Sequence, residues 1–187
     1  MNDFFIANNE SLPHVFIDQK IEVKQIQVKN LERFAGYANE IKNSLGSYSI
    51  ETITPLVELQ ILNIMGLCSM VTSLQPNVFS SNMAQTSAIA ELVLKIIHVN
   101  DAFFKKEKKQ QQGGGKESTW FTAFAYLVQT GHRPDDIMNM TYGAFIQYLK
   151  EAQDIERRQI KSYAIATRVA NNAKEKGWDK YLKQLEG

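Results

Sequence analysis

Strict alternation of apolar and polar residues occurs only near the start of the chain. His14, Val15, Phe16 and Ile17 form a short β-prone run, residues 18–20 supply turn residues, and Ile21, Val23, Ile26 and Val28 are interleaved with polar positions. The alternation slips between Val23 and Ile26, which predicts a bulge or strand end near Gln25. A two-stranded hairpin is marginal alone, so the pattern also predicts a helical surface for it to lie on.

From residue 30 the period changes to that of a helix. Asn30 is the expected N-cap of a first helix in which Leu31, Phe34, Ala35, Ala38, Ile41 and Leu45 recur on one face, with Gly46 as the stop. Thr54 and Pro55 are expected to begin a second helix, because proline at the first position gives up an amide that has no helical partner anyway. Residues 56–71 are apolar on most of the circumference, so this helix is expected to be central and buried. Pro76 breaks the chain, and Ser80 or Ser81 is the expected cap of a third helix with Ala88, Ile89, Leu92, Val93, Ile96, Val99 and Phe103 inward and Phe104 at its end.

Residues 105–118 contain no apolar side chain and include the run Gly113, Gly114, Gly115. Lysines and glutamines bring no buried area to offset the entropy of ordering them, and the glycines maximise backbone freedom, so the segment reads as a flexible tether. Gly115 followed by Lys116 hints at a phosphate-binding loop. The pattern fails, since Gln110 stands where a glycine is needed, Glu117 where Ser or Thr is needed, and a lysine run replaces the preceding strand. After the tether, Ser118 is the expected cap of a helix bearing Trp120, Phe121, Phe124, Tyr126, Leu127 and Val128, closed by Gly131. Pro134 opens a short helical turn through Met138. Thr141 caps a long helix whose stripe is Phe145, Leu149, Ala152, Ile155, Ile160, Tyr163 and Ala164; Gly177 punctuates it, and Trp178, Tyr181, Leu182 and Leu185 form a short amphipathic end.

The expected fold is therefore mainly α. A small N-terminal β-hairpin packs on a helical domain at 1–104, a Lys/Gln/Gly linker covers 105–118, and a small all-α domain covers 119–187. The chain of 187 residues carries a net charge of +1. That charge is spread as −4 over 1–104, +3 over 105–119 and +2 over 120–187, which is not the strong positive field of a nucleic-acid binder. A helix-turn-helix reading of Thr119 to Gln129, the turn at Gly131 and the helices that follow, with Arg157 and Arg158 on phosphates, is the alternative, but Glu151, Asp154 and Glu156 flank those arginines.

Cys68 is the single cysteine and sits in an apolar run, so it reads as a core residue in a reducing compartment. No charged leader precedes an apolar core at the N-terminus, and no run of 18 apolar residues occurs, so a soluble cytoplasmic protein is expected. His14, His98 and His132 lie on different elements, outside any metal or triad spacing. His98 with Asp101 reads as a helix-surface pair, and Asp135 with Asp136 after Pro134 as a helix start. No catalytic, cofactor or metal residue is assigned, and an enzyme is not expected.

The hairpin followed by Lys29, Asn30, Leu31, Glu32, Arg33, Phe34 and Ala35 resembles the opening of the tail assembly chaperones of long-tailed bacteriophages. Val99, Asn100, Asp101, Ala102, Phe103 and Phe104 resemble the end of their first domain. Residues 120–127, then Gly131, His132, Arg133 and Pro134, with Tyr142, Phe145, Leu149, Glu156, Arg157 and Arg158 beyond, are similar to the second domain of the extended, frameshift-fused product. In that family ribosomes slip near the end of the first frame, and Gly115 with Lys116, or Lys105 with Lys106, are residues that slippery codons encode.

The resemblance implies a non-enzymatic chaperone that coats the tape measure protein and recruits subunits of the major tail tube protein in the host cell cytoplasm, without remaining in the mature virion. The first block is then the tape-measure binder and the second the tube recruiter, with self-association as a further expectation and no cofactor, nucleic acid or membrane. Candidate partner-binding residues are Phe103 and Phe104 at the end of the first block, and Trp120, Phe121, Trp178 and Tyr181 in the second. Exposed aromatic anchors and core filling are both open readings for Trp120, Phe121, Trp178 and Tyr181.

Overall fold

The computed structural model of the protein describes residues 3–105, 119–172 and 174–185. The fold is mainly helical, with one two-stranded antiparallel hairpin near the N-terminus. Two compact units are present, Met1–Gln147 and Tyr148–Gly187. The expected tether, apart from Lys105, lies outside the described residues, as do the Gly115 and Lys116 pair and the Ser118 cap. Separate folding of 1–104 and 119–187 stays an expectation.

In the first unit a short helix α1 (Asp3–Ala7), unmarked in the sequence pattern, precedes β1 (Leu12–Phe16) and β2 (Gln19–Val23). The strands pair from Leu12 against Val23 to Phe16 against Gln19, and the two-residue loop holds Ile17 at φ 55°, a left-handed conformation unusual for a β-branched residue. Phe16, Ile21 and Val23 face the core. Pairing ends at Val23, two residues before the expected point, and residues 22–28 then run on as a backbone rail. Lys24 N–H donates to the Val71 carbonyl (2.7 Å) and Ser73 N–H to that of Glu22 (3.0 Å); farther along, Tyr142 N–H donates to Ile26 (2.7 Å) and Val28 N–H to Met140 (2.9 Å).

The hairpin lies on a set of helices: α2 (Leu31–Ser44), α3 (Ile50–Leu59), α4 (Ile61–Val71), α5 (Pro76–Ser81), α6 (Thr86–Val99) and α7 (Asp101–Phe104). α3 packs along α6, α2 along α4, and β1 lies across α6. Phe34, Ile41, Ile53, Ile64, Leu67, Ile89, Leu92 and Ile96 fill the centre.

Several expected helix boundaries are corrected. Asn30 makes no side-chain cap and instead ends a 3-10 turn, Val28–Asn30; α2 ends at Ser44 with Leu45 as its C-cap, ahead of the expected stop at Gly46. α3 begins at Ile50, where Ser49 and Thr52 cap each other's backbone, so Pro55 falls inside the helix rather than at its start. The expected single helix over 56–71 breaks at Gln60 and bends by 110°. Straight, Ile50–Val71 would reach about 33 Å at 1.5 Å per residue; bent, both halves lie on one core. The helix sheathed most fully is α6. Pro76 opens α5 instead of merely breaking the chain, and neither Ser80 nor Ser81 caps α6, which follows Gln85.

Beyond the undescribed stretch, α8 (Trp120–Gln129), capped by Thr119, ends at Gly131, whose φ of 103° only glycine adopts readily. α9 (Pro134–Asn139) follows, and Thr141 caps α10 (Tyr142–Asn172), its Oγ1 accepting from Ala144 N–H at 3.1 Å.

The second unit takes α10 from Tyr148 onward together with α11 (Glu175–Leu185). The expected stripe of α10 is not a buried one: Ala144 and Phe145 are its only buried residues, and Ile155, Ile160 and Tyr163 are exposed. Gly177 lies inside the first turn of α11 rather than between helices. Among the described residues no single helix is long and apolar enough to cross a membrane; α3 and α4 satisfy length and composition only as a bent pair, and they carry the core residues Ile53, Val57, Ile64 and Leu67.

Candidate functional site

Thr119 fixes the start of α8 by accepting a hydrogen bond from Thr122 N–H at 3.2 Å, and that start places Trp120, Phe121 and Phe124 on neighbouring turns. Phe121 meets Phe124 edge-on at 6.5 Å, Phe124 meets Phe145 at 5.6 Å, and Trp120 lies 5.9 Å from Phe145 and 6.3 Å from Tyr142. Tyr142 then contacts Phe103 at 6.1 Å, and Phe103 contacts Phe34 and Phe104 at 5.1 and 5.3 Å. The rings form one run from the surface into the core.

Position along that run separates the candidate residues. Phe104 is sealed between Phe34 and Tyr48 and serves the core. Phe103 is half-buried, with the Lys42 ammonium 5.0 Å above its ring and donating to its carbonyl at 2.6 Å. Trp120 is 51% exposed, and Phe121, at the outer end, is 83% exposed. Trp178 and Tyr181 pair at 6.0 Å on α11, in the second unit.

Two aliphatic residues that sequence reasoning missed stand out at the elbow between α3 and α4. Leu59 is 79% and Leu62 72% exposed. The available signal was the excess itself: a segment apolar on every face carries more apolar surface than a bent pair of helices buries.

The first unit also holds a buried polar hub. Gln25 Nε2 donates to the carbonyls of Phe5 (2.8 Å) and Glu10 (3.0 Å), Asn100 Oδ1 accepts from Ile26 N–H (2.7 Å), and Thr141 Oγ1 donates to the Ile6 carbonyl (3.3 Å). These three are the buried polar residues of the described chain. A cavity of about 470 Å³ opens beside them, rimmed by the Asp101–Lys105 ion pair and by Gly143, where an added Cβ would come 3.3 Å from Ile6. Asp101 thus pairs with Lys105, one turn on, while His98 faces a different cleft shared with His14, Glu91 and Lys95. Burial, then the Lys95 charge, hold the His14 imidazole below its usual 6.5. Among the described residues no group of three or more His, Cys, Asp or Glu is placed to hold a metal ion. Cys68 is buried, and burial pushes its thiol up to about 12.

Set against protein-family profiles, curated proteins and solved structures, the chain matches none.

Proposed function

We propose that the protein is a tail assembly chaperone of a long-tailed bacteriophage in its extended form, coating the tape measure protein and recruiting tail tube subunits in the host cytoplasm and not retained in the mature virion. The observation that carries this reading is the apolar surface held in water at separate places, Leu59 and Leu62 on the α3–α4 elbow and Trp120 and Phe121 at the start of α8. Large exposed apolar side chains grouped in patches mark sites that other proteins cover. A tape measure helix also exposes apolar surface until the tube encloses it, and covering that surface suppresses aggregation. The sequence resemblance supplies the identity of the partners.

In this reading residues 1–104 hold the tape measure through the elbow, and 119–187 hold the tube subunit through the α8 aromatics and through Trp178 and Tyr181. A second binding segment on the same chain raises the effective concentration of its ligand without any new contact. The role is non-enzymatic and needs no cofactor.

Co-expression of the full chain with each partner tests it. Leu59→Ser with Leu62→Ser is expected to weaken tape-measure retention about 30-fold, the scale of losing one or two interface anchors, while leaving tube capture intact. Phe121→Ser does the reverse. If neither partner is retained by the unaltered chain, the reading fails. Tight, sequence-dependent binding of duplex DNA would replace it with the helix-turn-helix alternative.

A further inference from the structure

Within the second unit the charges along α10 are ordered by sign. Glu151 and Asp154 come first, Arg157, Arg158 and Lys161 follow, and all five border one shallow groove. Steps of three and four residues keep Glu151, Asp154, Arg158 and Lys161 on one side of the helix. Exposed apolar side chains accompany the row, namely Tyr148, Ile155 and Ile165.

Pairing inside the helix explains only part of this order. Arg157 bonds Asp154 at 2.5 Å, but the pair is open to solvent and such pairs add little. Lys161 has no acidic residue three or four positions away in either direction; Arg157 and Arg158 stand there instead on its N-terminal side. Like charges at that spacing are unfavourable in a lone helix. Reversed and laid alongside itself, the same row becomes complementary.

We propose that α10 pairs with α10 of a second copy of this chain, antiparallel about a two-fold axis near residue 156. About that axis Glu151 stands opposite Lys161 of the second copy and Asp154 opposite Arg158, and two-fold symmetry makes each pair twice. Tyr148 reaches the level of Ile165, and the two Ile155 side chains approach each other near the axis. Glu156 itself projects from the far side of the helix, out of the contact. The apolar residues provide the attraction and the charges set the direction, because a parallel register would oppose Glu151 to Glu151 and Lys161 to Lys161. This pairing does not rest on the tail-chaperone reading.

Equilibrium sedimentation of the full chain tests it. The mass should rise from 21.3 kDa toward twice that value with concentration, the affinity weakening but not vanishing as salt screens the charges. E151K with D154K makes the four facing positions basic, and R158E with K161E makes them acidic, Arg157 staying as it is; like charges then face each other across the pair, and each variant alone should lose dimer affinity about 30-fold or more. Mixed in equal amounts, the two should regain it, a recovery that misfolded variants cannot give. A wild-type chain that stays monomeric up to about 1 mM, variants that dimerise as the wild type does, or a mixture that regains nothing each overturns the proposal.

Discussion

Asn100 satisfies three backbone groups from two stretches of chain, accepting from Ile26 N–H and donating to the carbonyls of Lys24 and Ile96. Removing its amide takes this partner from the Ile26 N–H and the Lys24 carbonyl, at about 1–3 kcal/mol for each group left unpaired, while the Ile96 carbonyl keeps the Asn100 backbone N–H. Asn100→Ala should therefore lose about 3 kcal/mol in urea unfolding, well beyond a surface Asn→Ala. Gly66 is a second point of tight fit, since an added Cβ would sit 2.6 Å from the Tyr37 ring. Gly66→Ala should destabilise by about 1–3 kcal/mol through overpacking despite the helix-propensity gain. Gly36→Ala, in open space on α2, should stabilise by about 0.5–1 kcal/mol.

Cys68 gives a pH test. Its folded pKa of about 12 lies above the usual 9.0, so the folded chain keeps its proton when the unfolded chain releases it. The stabilisation is full below pH 9 and is lost as pH rises toward 12, at about 1.4 kcal/mol per unit. Burial raises the Tyr48 hydroxyl in the same direction above pH 10, so the comparison is between wild type and Cys68→Ala, whose alkaline slope should be shallower. The core role of Cys68 was legible from its apolar neighbours. That of Asn100 was not, because a polar residue is buried only when partners such as Ile26, 74 positions away, close over it.

At the scale of elements, alternation located the hairpin and the 3.6 period located most helices, because both record which face is covered. Boundaries were less legible. Pro55 is the loudest punctuation near the start of α3, yet Ser49 and Thr52 fix that start through a reciprocal cap and the helix runs through the proline. The elbow at Gln60 was invisible because apolar residues on every face suit a buried rod and a folded pair equally well. The bend is what leaves Leu59 and Leu62 in water. Since they support no core, Leu59→Ser with Leu62→Ser should change unfolding free energy by no more than about 0.5 kcal/mol, separating their binding role from a folding one. For α10 the apolar period marks a stripe, but period alone cannot say whether the same chain covers it, and here Ile155, Ile160 and Tyr163 stay exposed.

At the scale of the whole molecule, the first unit joins stretches on both sides of residues 106–118. Ile26 and Val28 exchange backbone hydrogen bonds with Tyr142 and Met140, Lys29 Nζ donates to Asn139 Oδ1 at 2.7 Å, and Trp120 and Tyr142 extend the ring run to Phe103. The composition of residues 105–118 reads as a flexible tether, and limited proteolysis is expected to cut there first. If so, the nicked chain should still travel as one particle in native gel filtration while giving two bands on a denaturing gel; separation of the pieces would show these contacts to be too weak to hold them. The Ile26 carbonyl and Val28 amide of the rail are covered by residues that lie beyond 119. A product terminated ahead of residue 119 would keep the hairpin and α6 but have nothing to receive the Val28 amide or to donate to the Ile26 carbonyl, so its last extended residues would present a bare edge to the surroundings. The full chain carries its own cover for that edge in Met140 and Tyr142, so the residues beyond 119 decide whether the edge is open to strangers or already occupied.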